Sequence, residues 1–496
     1  MNGQTMHITE QHLHAVLTET FGIRDFRPSQ KEIIGRVLEG GHSLVLMPTG
    51  MGKSLCYQLP ALVMDGLTVV ISPLISLMKD QVDSLKRLSV DAEYINSSLD
   101  RAERARRYRT IAGGGYRLLY VAPERFRNRE FLEVISKRKI SLLALDEAHC
   151  VSQWGNDFRP DYSRIGEFRE VLGNPVTIAL TATATREVQD DIIRKTGIAP
   201  SEMRIFNEGI CRHNLSLETH HFIHDEEKFE AVHKLLGERK GAAIVYFNLI
   251  GSIERFAAWL EMKRVRFRVY HGKLNPEKRR TVQREFLDAP DALMLATNAF
   301  GMGIDRPDIR MIIHAEIPAS IESYYQEIGR AGRDGLPSRC ALMYCEDDLA
   351  VQIQFLEWKN PDAPFIRGAY RLMESLGDAL NSHTYEDLQE KLVYKHRADH
   401  RLQTVLNLFD IFGVTAGSLD TLNLKLVSGL PGEIISEESI TLKRERDRKR
   451  LIDMLQYAKT EACRRDYIHD YFGAGRRECG NCDNCNPGSP DGASGR

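Results

Sequence analysis

Three groups of residues in this sequence have the types and spacing to do chemistry. Met47-Pro48-Thr49-Gly50-Met51-Gly52-Lys53-Ser54 reads as a phosphate-binding loop between a strand and a helix. Gly50 and Gly52 let backbone amides approach a β-phosphate, Lys53 reaches the β/γ oxygens, and Ser54 can ligate Mg²⁺. The usual loop begins with Gly, and Met47 holds that place here. Roughly ninety residues on, Leu145-Asp146-Glu147-Ala148-His149 closes an apolar run with two adjacent carboxylates. Mg²⁺ requires hard oxygen ligands, so Asp146 together with Ser54 can hold it while Glu147 orients or deprotonates an attacking water. The third group is Cys463, Cys479, Cys482 and Cys485, whose short spacings suit a tetrahedral Zn²⁺. Four thiolates need no histidine, so that site is structural and closed.

The elements that must hold these groups follow from the hydrophobic pattern. Leu44-Val45-Leu46, Val69-Val70-Ile71, Leu118 to Val121, Leu142 to Leu145 and Val176 to Ala179 are short β-rich runs separated by helical patterns. That rhythm predicts βαβ units and a parallel sheet. It repeats at Ala242 to Phe247, Phe267 to Tyr270, Ala292 to Leu295 and Met311 to His314. Two tandem α/β domains leave a cleft between them, and nucleotides bind at the carboxyl ends of such strands. Beyond about residue 345 the pattern turns helical. Thr421 to Leu426 alternates like a strand, Ser428 to Gly432 is a turn cluster, and Ile440-Thr441-Leu442-Lys443 is the expected return strand. A winged-helix-like module and an ordinary helical bundle with one hairpin both fit. Leu451, Leu455 and Ala458 then share one helical face leading into the cysteine cluster.

The expected domains are residues 1–205 (the first, ATP-binding domain), 206–350 (the second), 351–445 (a helical, winged-helix-like module), 446–486 (zinc-binding) and 487–496 (a disordered tail). With 496 residues and 42% hydrophobic composition, the chain is far beyond a single small module. No apolar run is long enough for a transmembrane span and the N-terminus carries no signal-peptide pattern, which predicts a cytoplasmic protein with no membrane partner. Nine cysteines, five of them scattered, argue against a disulfide framework. A net charge of −2 gives no global polyanion signal, so any nucleic acid must be held by local patches. Of the basic runs at 101–109, 277–284 and 443–450, the last is the best DNA-facing candidate.

Two further stretches point to nucleic acid and to charge on a transferring phosphoryl group. Ser152-Gln153-Trp154-Gly155-Asn156-Asp157-Phe158-Arg159-Pro160 directly follows the carboxylates. Its aromatics can stack on unpaired bases and its arginine can meet phosphate, or the aromatics can pack beneath a loop. In Gln326-Glu327-Ile328-Gly329-Arg330-Ala331-Gly332-Arg333, guanidiniums at i, i+3 would share a helical face that enters the cleft.

Taken with these motifs, nearly all of residues 8–486 resembles a superfamily 2 helicase of the RecQ family. The resemblance extends to Phe26-Arg27-Pro28 with Gln30, similar to the family's adenine-reading motif, where Gln30 and Arg27 would contact the base. Ser72 to Gln81, which contains Ser76, is similar to the strand-tracking motif. Leu180 to Thr185 resembles the third motif, whose hydroxyls bridge the nucleotide site and the partner domain. Ala296-Thr297 through Asp305 resembles the motif that contacts the DNA backbone and the ribose. The family has His where Asn156 stands, and often an aromatic where Ile23 stands. The resemblance implies two tandem RecA-like parallel-sheet domains followed by a mostly helical module and a zinc-binding subdomain. It also implies a monomeric ATP-, Mg²⁺- and Zn²⁺-dependent enzyme acting 3′ to 5′ on single-stranded and forked DNA in recombination and repair. An RNA helicase, or a DNA-stimulated remodelling ATPase that separates no strands, would share the same ATPase parts.

Overall fold

The computed structural model describes residues 9–73, 75–96, 99–152, 160–301, 304, 306–392, 399–417, 419, 423–475 and 479–486. The expected tail at 487–496 lies outside the described residues. The first lobe is built on seven strands: β1 (His42–Leu46), β2 (Leu67–Ile71), β3 (Ala92–Ile95), β4 (Leu118–Val121), β5 (Ile140–Leu145), β6 (Val176–Thr181) and β7 (Met203–Asn207). They lie in the order β3-β4-β2-β5-β6-β1-β7, and every pairing is parallel. All five residues of β2 and the last four of β1 and β5 are buried, as expected when helices cover both faces.

The second lobe repeats the plan with β8 (Leu215–Phe222), β9 (Ala242–Tyr246), β10 (Arg268–Tyr270), β11 (Leu293–Ala296), β12 (Ile309–His314) and β13 (Ser338–Cys345). These form a six-stranded parallel sheet in the order β10-β11-β9-β12-β13-β8. The expected boundary at 205 falls inside β7, which pairs with β1 and so belongs to the first lobe. Strands β3, β7, β8 and β13 carry polar residues among their apolar ones and were not anticipated from the pattern.

Helices Asp347–Lys359, Ala363–Leu376, Tyr385–Leu392 and Arg401–Ile411 follow, the last three enclosing a small core of their own around Ile366, Met373, Leu388, Val405 and Phe409. The hairpin in this region is shorter than expected: β14 (Thr415–Ala416) pairs antiparallel with β15 (Lys425–Leu426), and residues 421 and 422 lie outside the described set. The expected return strand Ile440–Lys443 is helix, part of Glu437–Lys459. Ser436 caps it by accepting from Ser439 N, Glu437 and Glu438 sit against the positive end of its dipole, and no Gly or Pro interrupts the following residues. The same helix crosses the expected 445/446 boundary, and Asp347–Lys359 crosses that at 350/351.

The long helix buries Leu451, Met454, Tyr457 and Ala458, the last three within the core of the second lobe, which also takes in Ile468, Phe472 and Cys482. Cys482 forms a bridge with Leu217 on the edge strand β8, where Asp483 N donates to Leu217 O at 3.0 Å. The zinc subdomain therefore caps an otherwise open sheet edge. In the basic run at 443–450, Lys443 Nζ donates to Asn360 Oδ1 (2.7 Å), and Arg450 faces Asp447 (3.4 Å) and Glu322 (3.6 Å). Arg450 is largely buried in these pairings, whereas the Lys443 side chain stays half exposed.

Candidate functional site

The phosphate loop leaves β1 and enters the helix Leu55–Val63, so its amides and the helix dipole converge on one point. Gly50 (φ +78°) and Gly52 (φ +77°) adopt left-handed backbone that a side chain would strain. Met47 needs no such freedom: it is buried and its N–H donates to Thr181 O at 3.1 Å, extending the strand pairing. Lys53 Nζ is buried with no hydrogen-bond partner among the described residues. An orphaned ammonium in a nest of amides fits a polyphosphate.

Asp146 and Glu147 emerge at the carboxyl end of β5 and line the same cleft as Lys53, Ser54, Arg330 and Arg333, a space of about 440 Å³. Burial and the neighbouring Glu147 carboxylate push Asp146 up, against the pull of Lys53. Burial also opposes the Glu147 carboxylate, yet Lys53, His149, Arg330 and Arg333 together hold it below the ordinary glutamate range. The cleft thus matches a carboxylate pair, Asp146 buried and Glu147 partly exposed, with cations from both lobes. Asp146 and Ser54 offer the hard oxygens that Mg²⁺ would require.

His149 links the carboxylates to the opposite lobe. Its Nδ1 lies 3.0 Å from Thr181 Oγ1 and 3.4 Å from Glu147 Oε2. Across the cleft, Gln326 Nε2 lies 3.5 Å from His149 Nε2 and donates to Thr183 Oγ1 at 3.3 Å. Gln326 sits on the helix Ile321–Ile328, but the arginines do not continue it. The helix stops at Ile328, and Arg330 and Arg333 occupy the turn that follows. Past the helix the bonds tighten to i→i−3 (Arg330 N to Glu327 O, 3.2 Å; Ala331 N to Ile328 O, 3.0 Å), and Gly332 (φ +54°) and Gly335 (φ +85°) then redirect the chain. The expected shared helical face is therefore replaced by a turn that still delivers both guanidiniums to the cleft. Arg330 Nη1 donates to Gly301 O, and Arg333 lies over the phosphate loop, where a Cβ added to Gly50 would come within 3.2 Å of its Cγ.

Arg27 and Gln30 meet the loop itself. Arg27 Nη1 donates to Gly50 O (2.9 Å), and Gln30 Nε2 donates to Gly52 O (3.1 Å) and Met51 O (3.4 Å). Gln30 Oε1 accepts from Arg27 N, which joins the pair. Here they brace the loop that would hold phosphates, next to Pro48, Thr49 and Met51. Thr297 is buried just beyond β11, its N–H donating to Tyr270 O at 3.2 Å. Gln153, Trp154, Phe158, Arg159 and Asp305 lie outside the described residues, as does the side chain of Ser76.

The second site is the cysteine cluster. The ligand sulfurs of Cys463, Cys479, Cys482 and Cys485 all lie within 4.8 Å of one another. A tetrahedron with Zn–S bonds of about 2.3 Å has S···S edges of about 3.8 Å, so the four sulfurs fit Zn²⁺ with small adjustment. Arg464 pairs with Asp483 beside it, holding the last loop against the helix Arg464–Tyr471.

The motifs did not point to the linker between the lobes. Arg212 bonds to both lobes, and Asn214 and Ile210 fix the linker to the second, through contacts that no local spacing announces. Tyr471-Phe472-Gly473 resembles part of the family's zinc subdomain, but no motif pointed to Glu322 or to its pairing with Tyr471, which joins the helix Ile321–Ile328 to that subdomain.

Two parallel-sheet lobes with a phosphate loop on one and an arginine-bearing turn on the other define the superfamily 2 helicase core. Family profiles tile the chain accordingly: DEAD/DEAH box helicase over residues 27–191, helicase conserved C-terminal domain over 227–335 and RecQ zinc-binding over 432–486. ATP-dependent DNA helicase RecQ of Bacillus subtilis (strain 168) is 44% identical over 346 residues, covering 69% of this chain and 58% of the relative. RecQ of Haemophilus influenzae is 39% identical over 403 residues, 80% and 63% of the two chains. Probable ATP-dependent DNA helicase RecS of Bacillus subtilis is 38% identical over 364 residues, 73% of each chain. The chain belongs to the RecQ family. It spans about three fifths of the length of the RecQ relatives. The fold is also shared with DEAD-box helicase Mss116 bound to ssRNA and UDP-BeF (TM-score 0.59, 15% identity, 92% of this chain and 91% of that one). DUF1998 helicase MrfA bound to DNA and AMPPNP matches with a TM-score of 0.57 at 17% identity, over 88% and 64% of the two chains. Among the described residues, no helix is long and apolar enough to cross a membrane.

Proposed function

We propose that this chain is an ATP-dependent DNA helicase that moves 3′ to 5′ along single strands and separates forked duplexes in recombination and repair, as a monomer in the cytoplasm. One observation carries this reading: Lys53 and the paired carboxylates of one lobe share a single cleft with Arg330 and Arg333 of the other. Lys53 and the loop amides bind the β/γ-phosphates, and Glu147 orients the attacking water. Mg²⁺ held by Ser54 and Asp146 would neutralise charge on the phosphate oxygens. Arg330 and Arg333 meet the charge that develops on the γ-phosphoryl group, and Gln326 reads its presence through His149 and Thr183. Arg27 and Gln30 leave the loop backbone for the base edge when adenine enters, and Asp305 faces the ribose. Each turnover changes the contacts that hold the seam, so the backbone grips on DNA, including Ser76 and Thr297, move relative to one another. Gln153, Trp154, Phe158 and Arg159 couple bound DNA to the carboxylates.

Two assays test this. Lys53→Ala should abolish DNA-stimulated ATP turnover while the zinc content stays at one per chain; unchanged turnover refutes the assignment. Unwinding of forks with a 3′ tail but not a 5′ tail is expected, with DNA outcompeting a matched RNA strand. ATP turnover without any unwinding would identify a remodelling ATPase instead.

A further inference from the structure

Arg212 lies in the linker between the lobes, outside every motif. Its guanidinium uses all five of its N–H directions. Nη1 donates to Thr49 O (3.0 Å) and Gly329 O (3.3 Å), Nη2 to Ala331 O (2.8 Å) and Gly332 O (2.7 Å), and Nε points at Asn214 Oδ1 (3.4 Å). Thr49 belongs to the phosphate loop. The other three carbonyls belong to the turn that carries Arg330 and Arg333. One side chain therefore touches the backbone of both halves of the cleft, at the point where Thr49 Oγ1 also donates to Gly329 O (2.9 Å).

The linker around Arg212 is itself fixed. Tyr325 donates to Ile210 O at 2.5 Å, Arg465 to Leu215 O at 2.8 Å, and Asn481 to His213 O at 3.0 Å. The first anchor comes from the helix that precedes the arginine turn, the other two from the zinc subdomain. Arg212 thus rides with the second lobe, and its bond to Thr49 O is a strut across the seam.

We infer that Arg212 is a positioning residue that sets the distance between the phosphate loop and the arginine turn, and with it the placement of Arg330 and Arg333 for the transferring phosphoryl group. The inference rests on the ATP reading above. Arg212 contacts only carbonyl oxygens, so its effect on chemistry is indirect. A lysine cannot substitute, because a point-like ammonium has three donors and no planar fork to span carbonyls on two sides.

The test uses the full, zinc-loaded chain. Arg212→Lys should keep its zinc and its thermal midpoint, bind a fluorescent ATP analogue within threefold of wild type, and lose at least tenfold in kcat for DNA-stimulated ATP turnover. A change confined to KM with kcat intact overturns the inference. Arg212→Ala should regain turnover on addition of ethylguanidinium, which should do nothing for Lys53→Ala; absence of rescue counts against the inference. Small-angle scattering judges the strut without reference to activity. Arg212→Ala should have a larger radius of gyration than wild type in the absence of nucleotide, and an unchanged radius overturns the inference. Should wild type itself turn over no ATP, the ATP reading fails while the scattering result still decides whether Arg212 holds the lobes together.

Discussion

Replacing Tyr471 with Phe removes one oxygen and should loosen the hold of the zinc subdomain on the helix that leads into the arginine turn. Tyr471 ends the helix Arg464–Tyr471, and its hydroxyl donates to Glu322 Oε1 at 2.7 Å. Glu322 lies on the buried face of the helix Ile321–Ile328, only 7% exposed, with Arg450 Nε at 3.6 Å. Burial and the Glu322 carboxylate push the phenol far up, so it is a donor at any working pH. A hydrogen bond to a charged group contributes about 1.5–3 kcal/mol. Stripping a buried charge of every partner costs about 3–5 kcal/mol, but Arg450 remains, so the lower range applies. The ring keeps its edge contact with Phe472, at 5.1 Å between centroids. We therefore expect Tyr471→Phe to cost about 2 kcal/mol, a drop of roughly 4–8 °C in the melting of a unit the size of the second lobe. The decisive assay is a double-mutant cycle with Glu322→Gln, read from urea unfolding of the zinc-loaded protein. A coupling of about 1–2 kcal/mol is expected. If the two substitutions add to within about 0.3 kcal/mol, the contact does not join subdomain to helix and the reasoning is wrong.

Gly329 has ordinary helical backbone (φ −61°), so an alanine there carries no conformational strain of its own. Its Cβ would nevertheless meet Thr49 Oγ1 at 2.4 Å. Gly329→Ala should therefore force the seam apart, with ATP turnover falling at least tenfold while each lobe melts within about 2 °C of wild type; unchanged turnover in a steady-state assay would show that the Thr49–Gly329 approach is not needed. Cys482→Ser should release zinc, measured by chelator titration, and lower the melting point of the second lobe, because Cys482 bridges β8 as well as offering a sulfur to the metal. Retention of one zinc per chain would exclude Cys482 as a ligand.

What the sequence by itself determined is local. A phosphate loop is read from neighbouring residues, because glycine backbone freedom, an ammonium and a helix start act within one turn of chain. Asp146 and Glu147 were placed at a strand end by the apolar run before them, and the four cysteines by a spacing short enough for one metal. The alternation of buried runs likewise forecast both parallel sheets, since a strand covered on two faces needs little but apolar residues. The errors were also local in origin. Ile440 to Lys443 has β-branched residues and reads as a strand, yet a capped acidic start and an uninterrupted helical stretch outweigh that propensity. Arg330 and Arg333 have helical spacing, but the chain tightens into a turn directly after Ile328, and Gly332 and Gly335 then lead it away.

Only the tertiary structure decided which distant groups meet. Arg212 could not be singled out by type or spacing, because four of its five acceptors are backbone carbonyls more than a hundred positions away in sequence, in both directions. Every residue has such a carbonyl, so nothing in the side-chain code marks those that the guanidinium will find. The same holds for the pairing of Glu322 with Tyr471, 149 positions apart, which become partners because the zinc subdomain folds back onto the edge of the second sheet. Chemistry carried by one short segment is legible before folding; chemistry that depends on the distance between two lobes exists only once the chain has closed on itself.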